Sequence, residues 1–340
     1  MAPTLSVIIV SWNVRDLLGH AIDAVYSAGT HTPELEVIVV DSASVDGTPE
    51  MIRERYPQVR LIASDENLGF AKGNNRGIAE AHGDFLLLLN ADTVVRGDAL
   101  AVLVSYLHER PEVGMVGPRL LNADGTTQSS RRRVPTLPVL FLEGTWLQGL
   151  APRQQLARFY LEDRADSEEQ WVDWMTGAAM LIRREVLDDV SGLDEGFFMY
   201  SEELDWCHRI SDAGWKIAYT PAAEIVHYGG KSSEQVAPAR HIYFQSSKIL
   251  YTRKYHGWLA AEALRYWLLG QYVWQSAVEG LKWLAGHRRK LRAARIAAYR
   301  RVIRSGLRQY SAIAQPPSKT WIAPEAAGAV AIGIRKEPLQ

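Results

Sequence analysis

The segment Leu86-Leu87-Leu88-Leu89-Asn90-Ala91-Asp92-Thr93 constrains the fold more than any other part of this chain. Four consecutive leucines, with no polar residue alternating between them, suit a strand buried on both faces, as in a sheet covered by helices. The run stops abruptly at Asn90 and Asp92. In open α/β sheets the ligand crevice lies outside the carboxyl ends of the strands, so a carboxylate there is placed to meet a ligand. A hard oxygen donor at that edge suits Mg²⁺ or Mn²⁺, which take one or two carboxylates together with phosphate oxygens. A turn or helix-cap role for Asp92 is the plainer alternative on this stretch alone.

Strand and helix patterns alternate through the first half. Leu5–Ser11 and residues 36–41 are rich in β-branched side chains, and between them Leu17, Leu18, Ala21, Ile22 and Val25 recur at helical spacing. Helices are expected at 49–56, 70–81 and 98–109, with strands at 59–63 and 84–90. Repeated β-α-β units make an α/β fold with a doubly wound, mostly parallel, Rossmann-like sheet. Residues 125–138, with Arg131, Arg132 and Arg133 between Ser and Pro, read as an exposed loop, and 140–170 as a mobile excursion. Regular structure is expected at 171–183, in a helix about 202–213 and in a strand at 216–219. Residues 237–286 read as helical and heavily aromatic, and the tail after Pro316 as a disordered end.

A chain of 340 residues, 47% hydrophobic and 23% charged, can bury a large core, and its net charge of −1 gives no reason to expect a nucleic-acid partner. Cys207 is the single cysteine, so no intrachain disulfide forms and a reducing compartment is expected. The first apolar run has no basic residues ahead of it and is too short for a signal-peptide core or a membrane span.

The charge is unevenly spread. No Asp or Glu occurs between Leu281 and Pro324, whereas Lys282, Arg288, Arg289, Lys290, Arg292, Arg295, Arg300, Arg301, Arg304, Arg308 and Lys319 all fall there. A C-terminal helical, basic appendage of this kind calls for an anionic partner. Trp258, Trp267, Trp274 and Trp283 are rings of the type enriched at lipid–water boundaries. Ile296, Tyr299, Ile303 and Leu307 line one helical face with arginines on the others, the pattern of an interfacial helix on anionic lipid. Glu262, Arg265, Glu279 and Lys282 interrupt the apolar sequence, so no spanning helix is expected. The alternative is that the aromatics pack on the protein and the arginines are solvated; RNA binding has no supporting motif.

Four more segments carry chemistry. Asp41 ends the second strand on the same sheet edge as Asp92, where a carboxylate can accept the imide N–H of uracil or thymine; Asp46-Gly47-Thr48 behind it makes a turn and caps a helix. Within residues 67–77, glycines such as Gly69 allow close backbone approach, and amides at a helix N-terminus, with Lys72 nearby, favour phosphate. This is no Walker loop; Gly229-Gly230-Lys231-Ser232 mimics the end of one, but Ile225 replaces its first glycine. Glu202, Glu203 and Asp205 open a helix behind Phe197-Phe198-Met199-Tyr200. Acids are ordinary at a helix start, Ser201 is a good N-cap, and Asp205 with Arg209 makes an i,i+4 pair. The aromatic approach, however, sets a carboxylate in a low-dielectric wall, which raises its pKa and suits a general base. His227 ends a short apolar run, as a second metal ligand or as a structural histidine.

In this order the segments resemble family 2 glycosyltransferases with the GT-A fold, and most nearly the bacterial rhamnosyltransferase-like branch, over roughly residues 4 to 255. Val7-Ile8-Ile9-Val10-Ser11-Trp12-Asn13 looks like the family's first strand and nucleotide-facing loop, which implies donor contacts from Ser11 and Asn13. Asp41 matches the base-binding aspartate, and Asn67-Leu68-Gly69-Phe70 with Asn74-Asn75 matches an "NxGFxxxxN" stretch. Asn90-Ala91-Asp92 stands at the DXD metal motif, with Asp92 the retained ligand and Asn90 a departure. Thr176-Gly177-Ala178 resembles the acceptor-side "TGA" segment. Glu202-Glu203 aligns with the "ED" pair, whose second member deprotonates the acceptor; Glu203 is therefore the first choice, with Glu202 open. His227 matches the histidine that joins metal and diphosphate. The Gln-x-x-Arg-Trp signature of processive synthases is missing, which implies transfer of one sugar or a few.

The resemblance implies inverting, Mg²⁺- or Mn²⁺-dependent transfer from a nucleotide sugar to a glycan or polyprenyl-diphosphate-linked acceptor in bacterial cell-envelope polysaccharide synthesis. dTDP-L-rhamnose is the first choice of donor, and UDP-sugars such as UDP-galactofuranose the next. It implies a GT-A domain over 1–255, with the nucleotide-sugar half about 1–120 and the acceptor half about 121–255. A membrane-associating region at 256–312 and a flexible tail at 313–340 follow. The expected location is cytoplasmic, on the inner face of the cell membrane, with homo-oligomerisation left open. A catalytically silent sugar-nucleotide scaffold is the rival from another class; the intact acid pair and metal aspartate argue against it. A sugar-nucleotide pyrophosphorylase would want a Gly-rich basic loop where Ser11-Trp12-Asn13-Val14-Arg15 stands.

Overall fold

The computed structural model describes residues 4–29, 33–150, 153–229 and 237–308; the tail beyond Pro316 and Gly230-Lys231-Ser232 lie outside these. The chain begins β1 (Leu5–Ser11), α1 (Arg15–Tyr26), β2 (Leu35–Ser42), α2 (Thr48–Arg55), β3 (Arg60–Ser64), α3 (Gly69–Glu80) and β4 (Phe85–Asn90). It continues with β5 (Thr93–Val95), α4 (Ala99–Glu109), β6 (Val113–Leu121), β7 (Arg131–Arg132), α5 (Leu137–Leu142), a 3₁₀ turn (Trp146–Leu150) and α6 (Arg153–Phe159). Then come β8 (Gln170–Trp171), β9 (Trp174–Met175), β10 (Ala179–Arg183), α7 (Val186–Val190), α8 (Glu202–Asp212), β11 (Lys216–His227), α9 (Ala237–Leu284) and α10 (Arg289–Ser305). These divide into two compact units, Met1–Val134 with Ala157–Ser232, and Pro135–Leu156 with Ser233–Gln340.

The first unit is built on a mixed, mostly parallel sheet in the order β3-β2-β1-β4-β10-β6-β11-β5, with β8 beside β11. The strands β1 to β4 run parallel, and β10 enters antiparallel between β4 and β6. Strand alternation divides the core in two. Val7, Ile9, Val39, Leu87 and Leu89 face Leu18, Ile22, Leu100 and Leu103 of α1 and α4. Ile8, Ile38, Leu86, Leu88 and Ile182 face Ala71, Trp206, Cys207 and Ile210 of α3 and α8. Both faces are covered, which is why β4 carries four consecutive leucines, Leu86 to Leu89. Helix α3 lies close on β1 because Gly77 has no side chain: a Cβ there would fall 2.4 Å from the Ile8 Cγ2 atom.

Strand β6 was not expected from the sequence, and neither were the short β5 and α7; in β6, Gly114, Gly117 and Pro118 break the apolar pattern. The glycines serve packing: a Cβ on Gly117 would meet the Met175 sulfur at 2.3 Å, and one on Gly114 the Trp215 Cβ at 2.9 Å. Strand β11 runs on to His227 rather than stopping at Tyr219, because a register shift between Thr220 and Glu224 absorbs Pro221 and pairing then resumes. The arginine stretch is not a loose loop. Arg131 and Arg132 pair antiparallel with Met175 and Trp174, and Arg131 is 6% exposed, over the Tyr219 ring and paired with Asp166.

In the second unit, Leu137–Leu142 forms a short helix and Trp146–Leu150 a 3₁₀ turn, regular structure at the start of the stretch 140–170 for which the sequence shows no period. Phe141 and Glu143 are tied down by hydrogen bonds: Trp267 Nε1 donates to the Phe141 carbonyl (2.8 Å), and Lys248 Nζ to the Glu143 carboxylate (2.6 Å). Helix α9 breaks at Gly257, whose φ of 84° with ψ of 171° suits only glycine. Helix α10 packs on α9 through Tyr272 against Tyr299, ring centroids 5.6 Å apart, with Val302 and Leu307 buried. The α10 face expected to meet lipid is therefore mostly spent on α9. Arg292, expected among the arginines that meet anionic lipid, is buried against Glu279 at 2.7 Å. Among the described residues no helix is long and apolar enough to cross a membrane.

Candidate active site

The carboxyl ends of β1, β2 and β4 and the far end of β11 supply the site. Ser11 pairs in register with Asp41 across β1 and β2. The two exit loops are stitched together: the Asn13 amide donates to the Ser44 hydroxyl (2.9 Å), and the Val45 amide to the Asn13 side-chain oxygen (2.8 Å). Asn13 and Ala43 take left-handed conformations there (φ 52° and 60°), which for alanine costs about 1–2 kcal/mol. Asp41 is 1% exposed. Its Oδ2 accepts from the Ser44 amide, while Oδ1 and the hydroxyls of Ser11 and Ser42 are buried with no hydrogen-bond partner. Burial holds the Asp41 pKa above the ordinary carboxylate value. A buried, unpaired acceptor oxygen is what an imide-bearing base requires, and leaving it unpaired carries a desolvation cost. Asp46 accepts from the Thr48 amide and hydroxyl (3.1 and 2.6 Å), the turn role expected of it.

The antiparallel pairing of β5 with β11, His227 opposite Thr93, brings the two expected metal ligands together. Asp92 Oδ1 lies 3.3 Å from His227 Nε2, and the Asn90 side-chain amide approaches the same ring nitrogen at 3.3 Å. The other ring nitrogen, Nδ1, is 2.6 Å from Gln128 Oε1. Gln128 is oriented by its own amide, which donates to Asn122 Oδ1 (3.0 Å) and to the His227 carbonyl (3.4 Å). The Gln128 oxygen thus accepts from Nδ1–H, and Nε2 presents its lone pair beside the Asp92 carboxylate. Two facing electron-pair donors, one ionised, fit a divalent cation. Among the described residues no cluster of three or more His, Cys, Asp or Glu adds to them. Gln128 was not found from the sequence; nothing in the polar run Thr126-Thr127-Gln128 marks it.

The acid pair sits after a strained turn. Tyr200 and Ser201 both have left-handed backbones (φ 71° and 64°), an uncommon pairing for non-glycine residues. Ser201 occupies the N-cap position of α8, but its side chain makes no capping bond, contrary to expectation. Asp205 and Arg209 do pair, at 2.9 Å. Glu202 is 3% exposed, and both glutamates hold a buried Oε2 with no partner. Burial, then the neighbouring Glu203 charge, raise Glu202 well above the ordinary range. Burial raises Glu203 to about 7, opposed by backbone amides and by Arg132. Arg132 is itself held by cation–π contact with Tyr160 (4.6 Å) and by a bond to the Ser129 hydroxyl (2.9 Å).

Thr176-Gly177-Ala178 links the parts. Ala178 accepts from the Asn90 amide (2.9 Å), and a Cβ on Gly177 would lie 3.7 Å from Glu203 Cβ and 3.4 Å from the Phe70 ring. Ala91 and Ala178 are buried. The reading of α3 as a phosphate cradle is not supported. Its first amides are already used, Gly69 donating to Asn67 Oδ1 (3.0 Å) and Phe70 to the Phe198 carbonyl (2.8 Å). Lys72 pairs with Glu66 on the exposed surface at 2.7 Å. Asn67 and Gly69 shape the loop that carries the aromatic approach to Glu202, and Asn75 secures the next stretch through Leu193.

Comparison with known proteins agrees with this geometry. The family model for glycosyltransferase like family 2 matches residues 2–241. An N-acetylglucosaminyl-diphospho-decaprenol L-rhamnosyltransferase of Mycobacterium tuberculosis is 31% identical over 263 residues, covering 74% of this chain and 84% of that protein. Rhamnosyltransferase WbbL of Escherichia coli is 29% identical over 168 residues, 47% of this chain and 61% of that one. In fold the chain is similar to the mannosyltransferase PcManGT of Pyrobaculum calidifontis, solved with GDP-Man and Mn²⁺. The TM-score is 0.51 at 20% identity, covering 90% and 85% of the two chains. A site that gathers the buried Asp41, an Asp–His pair and a buried acid pair thus comes with a family match over most of the chain, and the protein belongs to the family 2 glycosyltransferases, with a GT-A fold.

Proposed function

We propose that the protein transfers L-rhamnose from dTDP-L-rhamnose, with inversion, to a glycan carried on a polyprenyl diphosphate. The observation that carries the catalytic reading is the Asp92–His227 pair, with Nε2 turned toward the carboxylate by Gln128. The choice of sugar and acceptor rests on the relatives named above, one of which acts by its name on N-acetylglucosaminyl-diphospho-decaprenol.

In this reading Asp41 accepts the imide N–H of thymine, with Ser11 in register beside it and Asn13 holding the loop. Asp92 and His227 would hold Mg²⁺ or Mn²⁺, which would supply positive charge against the leaving diphosphate. Glu203 takes the proton of the acceptor hydroxyl as its oxygen attacks the anomeric carbon from the face opposite the diphosphate, and inversion follows. Its elevated pKa matches such a base to neutral pH. Burial and the neighbouring Glu203 charge raise Glu202 as well, so the two carboxyls resist ionising together. Because the acceptor is a lipid, the enzyme works at the inner membrane face, where exposed Arg288, Arg289, Lys290, Arg300 and Arg301 meet anionic headgroups.

The test incubates the purified full chain with polyprenyl-diphosphate-linked N-acetylglucosamine and either dTDP-L-rhamnose or UDP-galactofuranose, with product mass and anomeric configuration read out. A deoxyhexose added only from the dTDP donor, with inverted configuration, is expected. Transfer from the UDP donor alone would replace the donor assignment, and retention would overturn the displacement mechanism.

A further inference from the structure

The exposed side of α9 after its break at Gly257 has a symmetry of its own. Between Leu259 and Leu281 no exposed position carries a charge. Leu259 (74% exposed), Tyr266 (64%), Trp274 (56%) and Leu281 (68%) alternate there with Ala263, Gly270 and Ala277. At 100° per residue all seven fall within an arc of about 80°, on one face of the helix. Read outward from Gly270, the order is aromatic, alanine, leucine in both directions, at the same spacings of four, three and four residues. Tyr266 mirrors Trp274, Ala263 mirrors Ala277, and Leu259 mirrors Leu281.

We infer that this stripe is a two-fold interface, on which α9 of a second copy of this chain lies antiparallel with the axis at Gly270. A two-fold contact requires a self-complementary patch in which residue i meets j and j meets i, and the mirrored order supplies it. Gly270 lets the backbones approach at the crossing: a Cβ built there meets nothing within 4 Å. The alanines on either side of it keep that approach open, and the aromatics and leucines beyond fill the space between the helices. With about 150–250 Å² offered per aromatic ring and the exposures above, the stripe supplies roughly 600 Å² per copy, most of the ~800 Å² per partner of a stable interface.

Charge favours a second copy over lipid. Helix α10 and its arginines attach through Tyr272 and Glu279, which sit roughly 160–180° around α9 from Gly270. The basic side is thus turned away from the stripe, and two stripes pair without like-charge repulsion.

The full chain is tested by sedimentation equilibrium, and by disulfide trapping with Cys207 left in place because it is buried. A dimer at micromolar concentration is expected, with Gly270→Asp weakening it at least tenfold. Gly270→Cys should cross-link to itself on oxidation. Ala263→Cys and Ala277→Cys should cross-link when mixed and little when separate. A wild type that stays monomeric at 100 µM would overturn the proposal, leaving zwitterionic lipid (tested with phosphatidylcholine vesicles) or residues 309–340 to cover the stripe. Self-linking by Ala263→Cys alone would overturn the antiparallel register.

Discussion

His227 Nε2 faces Asp92 Oδ1 across 3.3 Å while the opposite ring nitrogen is held 2.6 Å from Gln128 Oε1. The glutamine fixes which nitrogen carries the proton, and therefore which one can bind a metal. Gln128→Ala is expected to weaken Mn²⁺ binding by about 10–100-fold, the usual loss for a partner of a ligating histidine. Asp92→Ala should abolish turnover with the fold intact. Titration of Mn²⁺ by electron paramagnetic resonance, beside circular dichroism, checks both; unchanged Mn²⁺ affinity in Asp92→Ala would remove the metal from this site.

Glu203→Gln is expected to bind donor like wild type and to transfer about 10²–10⁴-fold more slowly, the span associated with a lost general base. Glu202→Gln should be milder. Comparison of kcat and donor Kd in the two variants decides between the carboxylates, and a larger kcat loss at Glu202 reverses the assignment.

Burial raises Glu203 from 4.5 to about 7. The folded chain therefore holds a proton that the unfolded chain releases between those values. The stability this contributes is full below about pH 4.5 and is lost as pH rises through 7. Activity runs the other way, because the base must be ionised, so kcat should climb through pH 7. Glu202→Gln removes a buried acid and its repulsion, and is expected to raise the melting temperature at pH 8 more than at pH 5, as differential scanning fluorimetry would report.

Asp41→Asn should raise donor KM with little change in kcat, since the base is held equally in ground and transition states. A neutral amide can flip to offer N–H instead of oxygen, so discrimination between dTDP- and GDP-sugars should also fall. Competition binding with the free nucleoside diphosphates measures this without turnover.

Glu279→Gln leaves Arg292 buried without its counter-charge, a loss of about 3–5 kcal/mol in comparable buried pairs. The effect should appear as early melting of the α9–α10 pair in hydrogen exchange, while Glu262→Gln, whose side chain is 32% exposed against 8% for Glu279, should cost less.

The sheet and the residues at its edge were legible in the sequence because period-two burial and abrupt polar stops are local signals. Asp41, Asp92, His227 and the glutamate pair are found where strand ends and a helix start place them. Gln128 was not legible, since its role depends on a ring 99 residues away. Strand β6 hid behind glycines required by Met175 and Trp215, and the basic Arg131 behind a charge that reads as solvated but stacks on Tyr219. The aromatics of α9 could be seen, but not which of them stay exposed, because α10 covers one side.

The second unit takes its members from two places, Pro135–Leu156 and everything after Ser233. During synthesis the first of these leaves the ribosome about a hundred residues before its partners, so Phe141 and Glu143 wait for Trp267 and Lys248 to arrive. The catalytic sheet can close before then, threaded through a segment that is still unsatisfied. Completion of this unit is thus tied to the residues around Lys248 and Trp267, and a premature stop codon ahead of them would leave apolar residues of the early segment uncovered for chaperones and proteases to find.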